Sequence, residues 1–447
     1  MTNAATLTAF DHLRAQLRTI RTARAVGRVE RLGRNVVTVS GLEGEVALGD
    51  RVRLGPALVG EVLSIGPDGA RVMPEGYADG LRLGTDVTHI GPPVISPDDS
   101  WLGRVIDPDG QPLDGRALVP GARPYPLITA PPSPAARRGL GRRLRTGFAV
   151  FDTLLPIVRG QRIGLFAGSG VGKSRLIAAL AEGMRADVVV IGLIGERGRE
   201  VRDFVSDTLG ADGLDRAIVV AATSDRPALT RARAAYTMMA IAEYFRDQGK
   251  QVLVLADSIT RFAEAHRDVA ASAGEPFGPD GFPASMAQAV MGLAERAGPG
   301  AAGQGDITAI LSVLVAGSDM DGPVADVMRG VLDGHVVLSR DIAERGRYPA
   351  IDLLRSVSRS LPAAAGAEEN ALIGQARKLM GAYDRAEMMI QAGLYSPGTD
   401  PLIDGAVKVW DALDEFIGAP AGVDEAASFE ALARVLGPAS TPGHGTT

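Results

Sequence analysis

The spacing of hydrophobic and polar positions divides this chain of 447 residues into regions of different character. Residues 5–21 place Leu7, Phe10, Leu13, Leu17 and Ile20 at three- and four-residue intervals, with Arg14, Arg18 and Arg21 beside them. That is one apolar stripe on a basic amphipathic helix, so residues 1–21 read as an N-terminal helix. It either packs on its own domain or offers a docking face to a partner or an anionic surface. From residue 22 to 92 the pattern shortens to β-branched runs such as Asn35–Val39, Arg51–Leu54, Gly60–Leu63 and Ala70–Met73, separated by Gly, Asp and Pro. Turn signals at this spacing predict a small β-barrel.

Residues 93–360 form the largest region, beginning with a linker over 93–145. From Gly160 onward, apolar strands alternate with helices, which predicts a mostly parallel sheet covered on both faces. The strands expected are Arg162–Phe166, Asp187–Leu193, Ala217–Ala221, Val252–Ala256 and Ile307–Val315, and the helices include Ser174–Met184 and Pro227–Gln248. Residues 361–436 are helical in pattern, over Glu368–Ala392, Asp400–Phe416 and Asp424–Leu436. Residues 437–447 are a Gly/Pro/Ser/Thr-rich tail.

Composition narrows the class. Hydrophobic residues make up 46% and charged residues 22%, as in an ordinary globular protein. No apolar run approaches the roughly 18–20 residues that cross a bilayer. The chain has no cysteine, hence no disulfide framework and no thiolate metal site. A net charge of −6, with one aromatic residue (Tyr77) in the barrel region, argues against nucleic acid as an obligatory partner. Arg137, Arg138, Arg142, Arg143 and Arg145 crowd the Pro-rich linker, where they either contact phosphates or lipid or solvate a connector.

The chemistry centres on Gly164-Leu165-Phe166-Ala167-Gly168-Ser169-Gly170-Val171-Gly172-Lys173-Ser174, a buried strand running into a glycine loop and then a helix. Such a loop turns successive backbone N–H groups inward to cradle phosphates. Lys173 supplies a charge for the β- and γ-phosphates and Ser174 an oxygen for Mg²⁺. Asp257 ends the apolar run Val252–Ala256, at the rim where ligands bind in doubly wound folds. It serves either the Mg²⁺ shell, through water, or as a helix cap. Glu196 follows another buried strand, 23 residues after Lys173, where a carboxylate can orient an attacking water. Its neighbours Arg197, Arg199 and Glu200 leave open a plain salt-bridge cluster.

The set Ala167–Ser174, Gly195–Glu200 and Asp257–Arg261 resembles the hexameric rotary-ATPase superfamily, relatives of the ATP synthase catalytic subunit. Asp333-Gly334-His335, Tyr348–Asp352 and Ser356-Val357-Ser358-Arg359 extend the likeness. With Tyr395–Pro401 it is most similar to the flagellar type III export ATPases, the FliI family, over roughly residues 25–416. The resemblance implies a RecA-like doubly wound P-loop domain with an N-terminal β-barrel and a C-terminal helical domain. It implies ATP with Mg²⁺ as substrate and cofactor, and Gly168, Ser169, Gly170, Val171, Gly172, Lys173 and Ser174 around the phosphates. Glu196 is the implied water-orienting carboxylate, Arg197 a charge near the γ-phosphate, Tyr348 a platform for adenine, and Asp257 a holder of the Mg²⁺ shell. Arg359 is implied as an arginine finger acting in trans. The implied setting is a homo-hexameric ring in the cytoplasm, peripheral at the inner-membrane export apparatus. Its implied partners are a FliH-like regulator on the N-terminal helix, a FliJ-like coiled-coil stalk in the pore, export-gate membrane proteins and chaperone–substrate complexes. The sequence departs from the family over Gly274–Pro283, and the extension after Ile417 looks unusual for it. Three alternatives stay open: an injectisome ATPase, a non-catalytic nucleotide-binding ring subunit, and an RNA-translocating ring. Gly168–Gly172 tilts the first choice toward the flagellar system, Glu196 opposes the second, and the aromatic-poor barrel opposes the third.

Overall fold

A computed structural model describes residues 24–315 and 320–437, together with Leu17. The amphipathic-helix expectation over 1–21 and most of the tail therefore lie outside the described residues. Six antiparallel strands close into a barrel: β1 (Val26–Leu32), β2 (Val37–Ser40), β3 (Arg51–Leu54), β4 (Leu58–Gly66), β5 (Gly69–Pro74) and β6 (Asp86–Gly91), in spatial order β1-β2-β5-β4-β3-β6. Strands β3 and β6 alternate buried and more exposed positions, β2 and β5 are buried nearly throughout, and Val29, Val37, Val39, Val52, Val62 and Val72 fill the interior. Branched side chains at every second position suit this pleated wall.

The linker does not merely connect. It contributes the edge strand β7 (Arg104–Ile106) to a large sheet. The further strands are β8 (Arg162–Ala167), β9 (Val188–Glu196), β10 (Ala217–Thr223), β11 (Val252–Asp257), β12 (Asp306–Leu314), β13 (Gly334–Leu338) and β14 (Ile351–Ser358). They lie in the order β14-β13-β8-β12-β11-β9-β10-β7. Apart from β14, which runs antiparallel to β13, the strands along this path are parallel. The residues from Val188 to Gly195 are buried without interruption, as a strand covered on both faces requires. This strand runs to Glu196 itself, three residues past the end expected at Leu193, so Glu196 sits on the sheet rather than after it.

Helices α1 (Lys173–Gly183), α2 (Ala228–Asp247), α3 (Ile259–Ala273) and α4 (Ser285–Arg296) cover the sheet. At the C-terminal end, α5 (Ala367–Gln391), α6 (Pro401–Gly418) and α7 (Glu425–Leu436) pack through Ile373, Leu379, Leu413, Phe416 and Leu432 into the apolar cluster that holds Leu165 and Ile191 of the sheet. The helical region thus shares its core with the large sheet. Asp400 starts α6 by accepting from the backbone N–H of Leu402 and Ile403, with Pro401 in the first turn.

Four of the five linker arginines are staples within the chain. Arg137 reaches the carbonyls of Ala297 and Glu295, Arg138 the carboxylate of Asp306, and Arg145 the carbonyl of Gly422. Arg143 donates to Glu369 at 2.8 Å and lies over the ring of Phe429 on α7. Neither phosphate nor lipid is needed to explain them; Arg142 stays exposed.

Candidate active site

The carboxyl ends of β8, β9 and β11 meet at one rim of the sheet. β8 runs beside β12, β12 beside β11, and β11 beside β9, so three strand ends converge although 90 residues separate them in sequence. Ala167 leads from β8 into the glycine loop, and α1 begins at Lys173. Gly172, the residue before α1, has φ of +87°, and a Cβ there would stand 3.1 Å from the ring of Tyr348. Both conditions favour glycine. The loop and the helix start thus present backbone N–H groups and the positive end of an 11-residue helix to a cleft of about 590 Å³.

Gly168, Ser169, Gly170, Gly172, Lys173 and Ser174 line this cleft. Val171 does not: its side chain is buried in the core beneath the loop, so only its backbone is available. The Lys173 ammonium is paired with Asp257, whose carboxylate also accepts from Ser312 Oγ at 2.9 Å. Asp257 is not a helix cap. Ser258 fills that role for α3, its side chain accepting from the N–H of Arg261. Ser174 is exposed. The donor set, a hydroxyl, a buried carboxylate and phosphate oxygens, suits a hard divalent ion shared with the nucleotide. Among the described residues no group of three or more His, Asp or Glu is placed to cage a metal alone.

Glu196 enters the cleft from the end of β9. Gly195 before it has φ of +70° and packs on Arg261, whose Cβ would lie 3.0 Å from any Cβ at that position. The backbone is therefore free to approach α3 closely. Burial, reinforced by the nearby Asp257 carboxylate, pushes the Glu196 carboxyl up to about 7, and its side chain shares a hydrogen bond with Glu200. Glu200 in turn is held low, first by that hydrogen bond and then by Arg197. A carboxyl with so high a pKa is a proton acceptor matched to neutral pH. Arg197 points outward, 80% exposed, and donates to Glu200 at 3.0 Å.

Tyr348 lies at the flank of the loop against Gly172, half exposed. Arg359 is far from all of these. β14 pairs antiparallel with β13, so Ile351 lies beside Leu338 at the loop rim, and Ser358 beside Gly334 at the opposite rim. The Arg359 N–H donates to the carbonyl of Asp333, a residue whose own N–H donates to the carbonyl of Arg162 at the start of β8. From Arg162 to Ala167 is five strand steps, about 16 Å at about 3.3 Å each. The structure therefore gathers Lys173, Ser174, Asp257, Glu196 and Arg197 and leaves Arg359 outside. Glu200, Arg261 and Ser312 complete the surroundings. Ser312 gives no signal in the sequence, since a serine inside an apolar strand shows its partner only after folding.

Residues 147–358 match the ATP synthase alpha/beta family, nucleotide-binding domain. Residues 365–437 match the T3SS EscN ATPase C-terminal domain. The segment after Ile417 is accordingly part of a recognised domain and not an unusual extension. A flagellum-specific ATP synthase from Caulobacter vibrioides is 44% identical over 402 residues, covering 88% of this chain and 90% of its own. A type 3 secretion system ATPase from Xanthomonas euvesicatoria is 40% identical, covering 95% and 96%. Among solved structures, the assembled ATPase EscN of enteropathogenic E. coli superposes with a TM-score of 0.84 at 36% identity, over 92% of this chain and all of that one. EscN in complex with its central stalk EscO gives the same TM-score at 37% identity.

Proposed function

Because the chain belongs to the ATP synthase alpha/beta family, in its flagellar and type III secretion branch, we propose that it is the ATP hydrolase that energises or regulates flagellar type III protein export. The observation that carries the chemistry is the convergence of Lys173 and Glu196 on one glycine-lined cleft, with the buried Asp257 paired to Lys173 behind it. Lys173 moves from Asp257 to the phosphates of bound ATP. Ser174, and through water Asp257 steadied by Ser312, would hold Mg²⁺, which would supply charge neutralisation at the phosphates. Glu196 accepts a hydrogen bond from the attacking water and aims it in line. Tyr348 supplies an apolar face for adenine beside the loop. Arg359 completes the site of the next protomer in a homo-hexameric ring, since its own cleft lies a sheet's length away.

EscN, which is solved in an assembled form and with a central stalk, supports the ring and a FliJ-like stalk for this chain. We further place a FliH-like regulator on residues 1–21, with export-gate proteins and chaperone–substrate complexes as later partners. Among the described residues no helix is long and apolar enough to cross a membrane, which suits a cytoplasmic protein held peripherally at the export apparatus. The 40% identity to a type 3 secretion system ATPase favours an injectisome role as the second reading. The test is twofold. Glu196→Gln retains nucleotide binding and loses phosphate release by about 10²–10⁴-fold, the range of a positioned general base; undiminished release overturns the mechanism. Deleting the gene in its host stops export of flagellin if the flagellar assignment holds, and spares it if the injectisome assignment holds.

A further inference from the structure

Apart from the nucleotide cleft, a dense group of buried charge lies where the barrel meets α2. Arg233, with its side chain only 4% exposed, donates to Glu75 at 2.6 Å, to Asp109 at 3.0 Å and to Glu61 at 3.2 Å. Arg51 closes the ring with 3.1 Å to Glu75 and 3.2 Å to Asp109. The five groups come from two bodies. Arg51, Glu61 and Glu75 belong to β3, β4 and the end of β5 of the barrel. Asp109 follows the edge strand β7, and Thr237, one turn along α2 from Arg233, ties that turn down by donating to the Pro108 carbonyl at 2.7 Å. The apolar share of this seam is small: Met73 packs with Ala228 and Leu229, joined by Leu63 and Val269. The barrel's own core is a separate cluster. Charge matching, with Arg71 of the barrel donating to the Ser272 and Ala273 carbonyls at the end of α3, seats the barrel in place of a continuous core.

The same short stretch of α2 reaches the nucleotide cleft. Arg231, two residues before Arg233, lines that cleft and donates to Asp268 on α3 at 3.2 Å and to the Arg226 carbonyl at 3.1 Å. The turn that leads into α2 contains Ser224, which also lines the cleft and whose N–H donates to the Glu196 carbonyl at 2.9 Å. One turn and a half of helix, with the short turn before it, therefore separates the barrel's charge ring from the backbone of Glu196.

We infer that Arg233 is a positioning residue: by locking the barrel to α2 it fixes the first turns of that helix, and so Arg231, the Ser224 turn and the aim of Glu196, making barrel seating a control on turnover. This rests on the reading of the cleft as an ATP hydrolase. A barrel shifted by whatever engages the N-terminal side would loosen the ring and misdirect Glu196 without touching the phosphate loop, which hangs from β8 on the far side of β12 and β11.

The experiment compares the full-length protein with Arg233→Ala, Arg233→Lys and the peripheral Arg51→Ala, whose native side chain is 19% exposed. Readouts are kcat and KM for Mg²⁺–ATP, binding of a non-hydrolysable ATP analogue, and amide hydrogen exchange over residues 222–233. Expected are a fall in kcat of about tenfold for Arg233→Ala, analogue affinity within about twofold of wild type, and faster exchange across Ser224–Arg231. Arg233→Lys recovers part of kcat, and Arg51→Ala shows the same pattern more weakly. Unchanged kcat in variants whose seam exchanges faster overturns the inference, as does a loss confined to KM. If Arg233→Ala does not fold, Arg51→Ala decides in its place by the same criteria. A wild-type protein that binds the analogue but releases no phosphate sinks the hydrolase reading instead. The exchange arm then still decides the latch, and unaltered exchange at Ser224–Arg231 in Arg233→Ala refutes it.

Discussion

The nucleotide cleft and the barrel seam are built from the same residue types, yet they solve opposite problems. At the seam every charge faces an opposite charge within about 3.2 Å, and the group is largely sheltered, with no side chain more than 28% exposed. In the cleft the matching is incomplete. Glu196 stands between the Asp257 and Glu200 carboxyls, and its pKa rises because the pull of Lys173 does not offset its burial. Ser174 is exposed, Arg197 turns outward, and the helix end at Lys173 has no side-chain cap. Matched charge in a closed space holds parts together; mismatched charge in an open one waits for a ligand. The phosphates of a nucleotide supply what the cleft lacks, negative charge for the loop N–H groups, and compete with Asp257 for Lys173.

The strongest way to break this contrast is to remove Arg359, the charge proposed to reach the cleft from a neighbouring protomer. Arg359→Ala is expected to leave nucleotide binding intact and to cut turnover by about 10³–10⁵-fold, the range seen for arginine fingers. Mixing it with Glu196→Gln subunits should restore part of the rate, because some interfaces then pair an intact Glu196 with an intact Arg359. Steady-state phosphate release on mixed, assembled rings is the measurement; absence of any recovery in such rings would count against a shared site.

A buried matched pair sharpens the other side of the contrast. Arg296 on α4 is 2% exposed in its side chain and grips Glu243 of α2 with two hydrogen bonds, of 2.9 and 2.7 Å. It also donates to the Leu127 carbonyl at 2.6 Å. Arg296→Ala strands the Glu243 carboxylate in the core, and equilibrium unfolding should show a loss of about 3–5 kcal/mol. Replacing both partners with apolar residues of similar volume should recover most of it. If the single variant were as stable as wild type, matched charge would not be what secures this layer.

These two regions are unequally legible in the sequence. The cleft announces itself because its chemistry is local: Gly168–Ser174 is contiguous, and Glu196 and Asp257 each terminate an apolar run that reads as a buried strand. The parallel sheet follows from the same runs. The seam is invisible there. Arg51, Glu61, Glu75, Asp109 and Arg233 span 182 residues, sit in ordinary amphipathic surroundings, and match only once the barrel closes and docks. The short strands β7 and β13 also escape notice, as does the eight-residue β14, which is only partly buried. The linker arginines mislead for a related reason: positive charge clustered along the chain is dispersed in space, four of the five guanidinium groups each on its own carbonyl or carboxylate. Arg359 is marked in the sequence by resemblance alone, and only the antiparallel register of β13 and β14 gives a reason for it to act across an interface.

The smallest effect probes the mismatch itself, and its two halves have opposite signs. In the nucleotide-free fold, burial first and Asp257 second raise the Glu196 pKa from 4.5 to about 7. The native state therefore holds the proton more tightly than the unfolded chain. The stability this contributes is full below pH 4.5 and fades as pH rises through 7. Catalysis runs the other way, because only the carboxylate can orient the water. Between about pH 5.5 and 7 the kcat/KM of the wild type, which reports the free enzyme, should climb by up to about tenfold per unit and then level off. Over the same interval the denaturant midpoint of wild type should fall relative to that of Glu196→Gln, whose amide does not titrate. Parallel pH profiles of rate and unfolding for the two proteins test this directly. A rate that is flat across the interval, or a midpoint that rises with pH relative to the glutamine variant, would mean that Glu196 is already charged in the empty cleft. The cleft would then be as well matched as the seam.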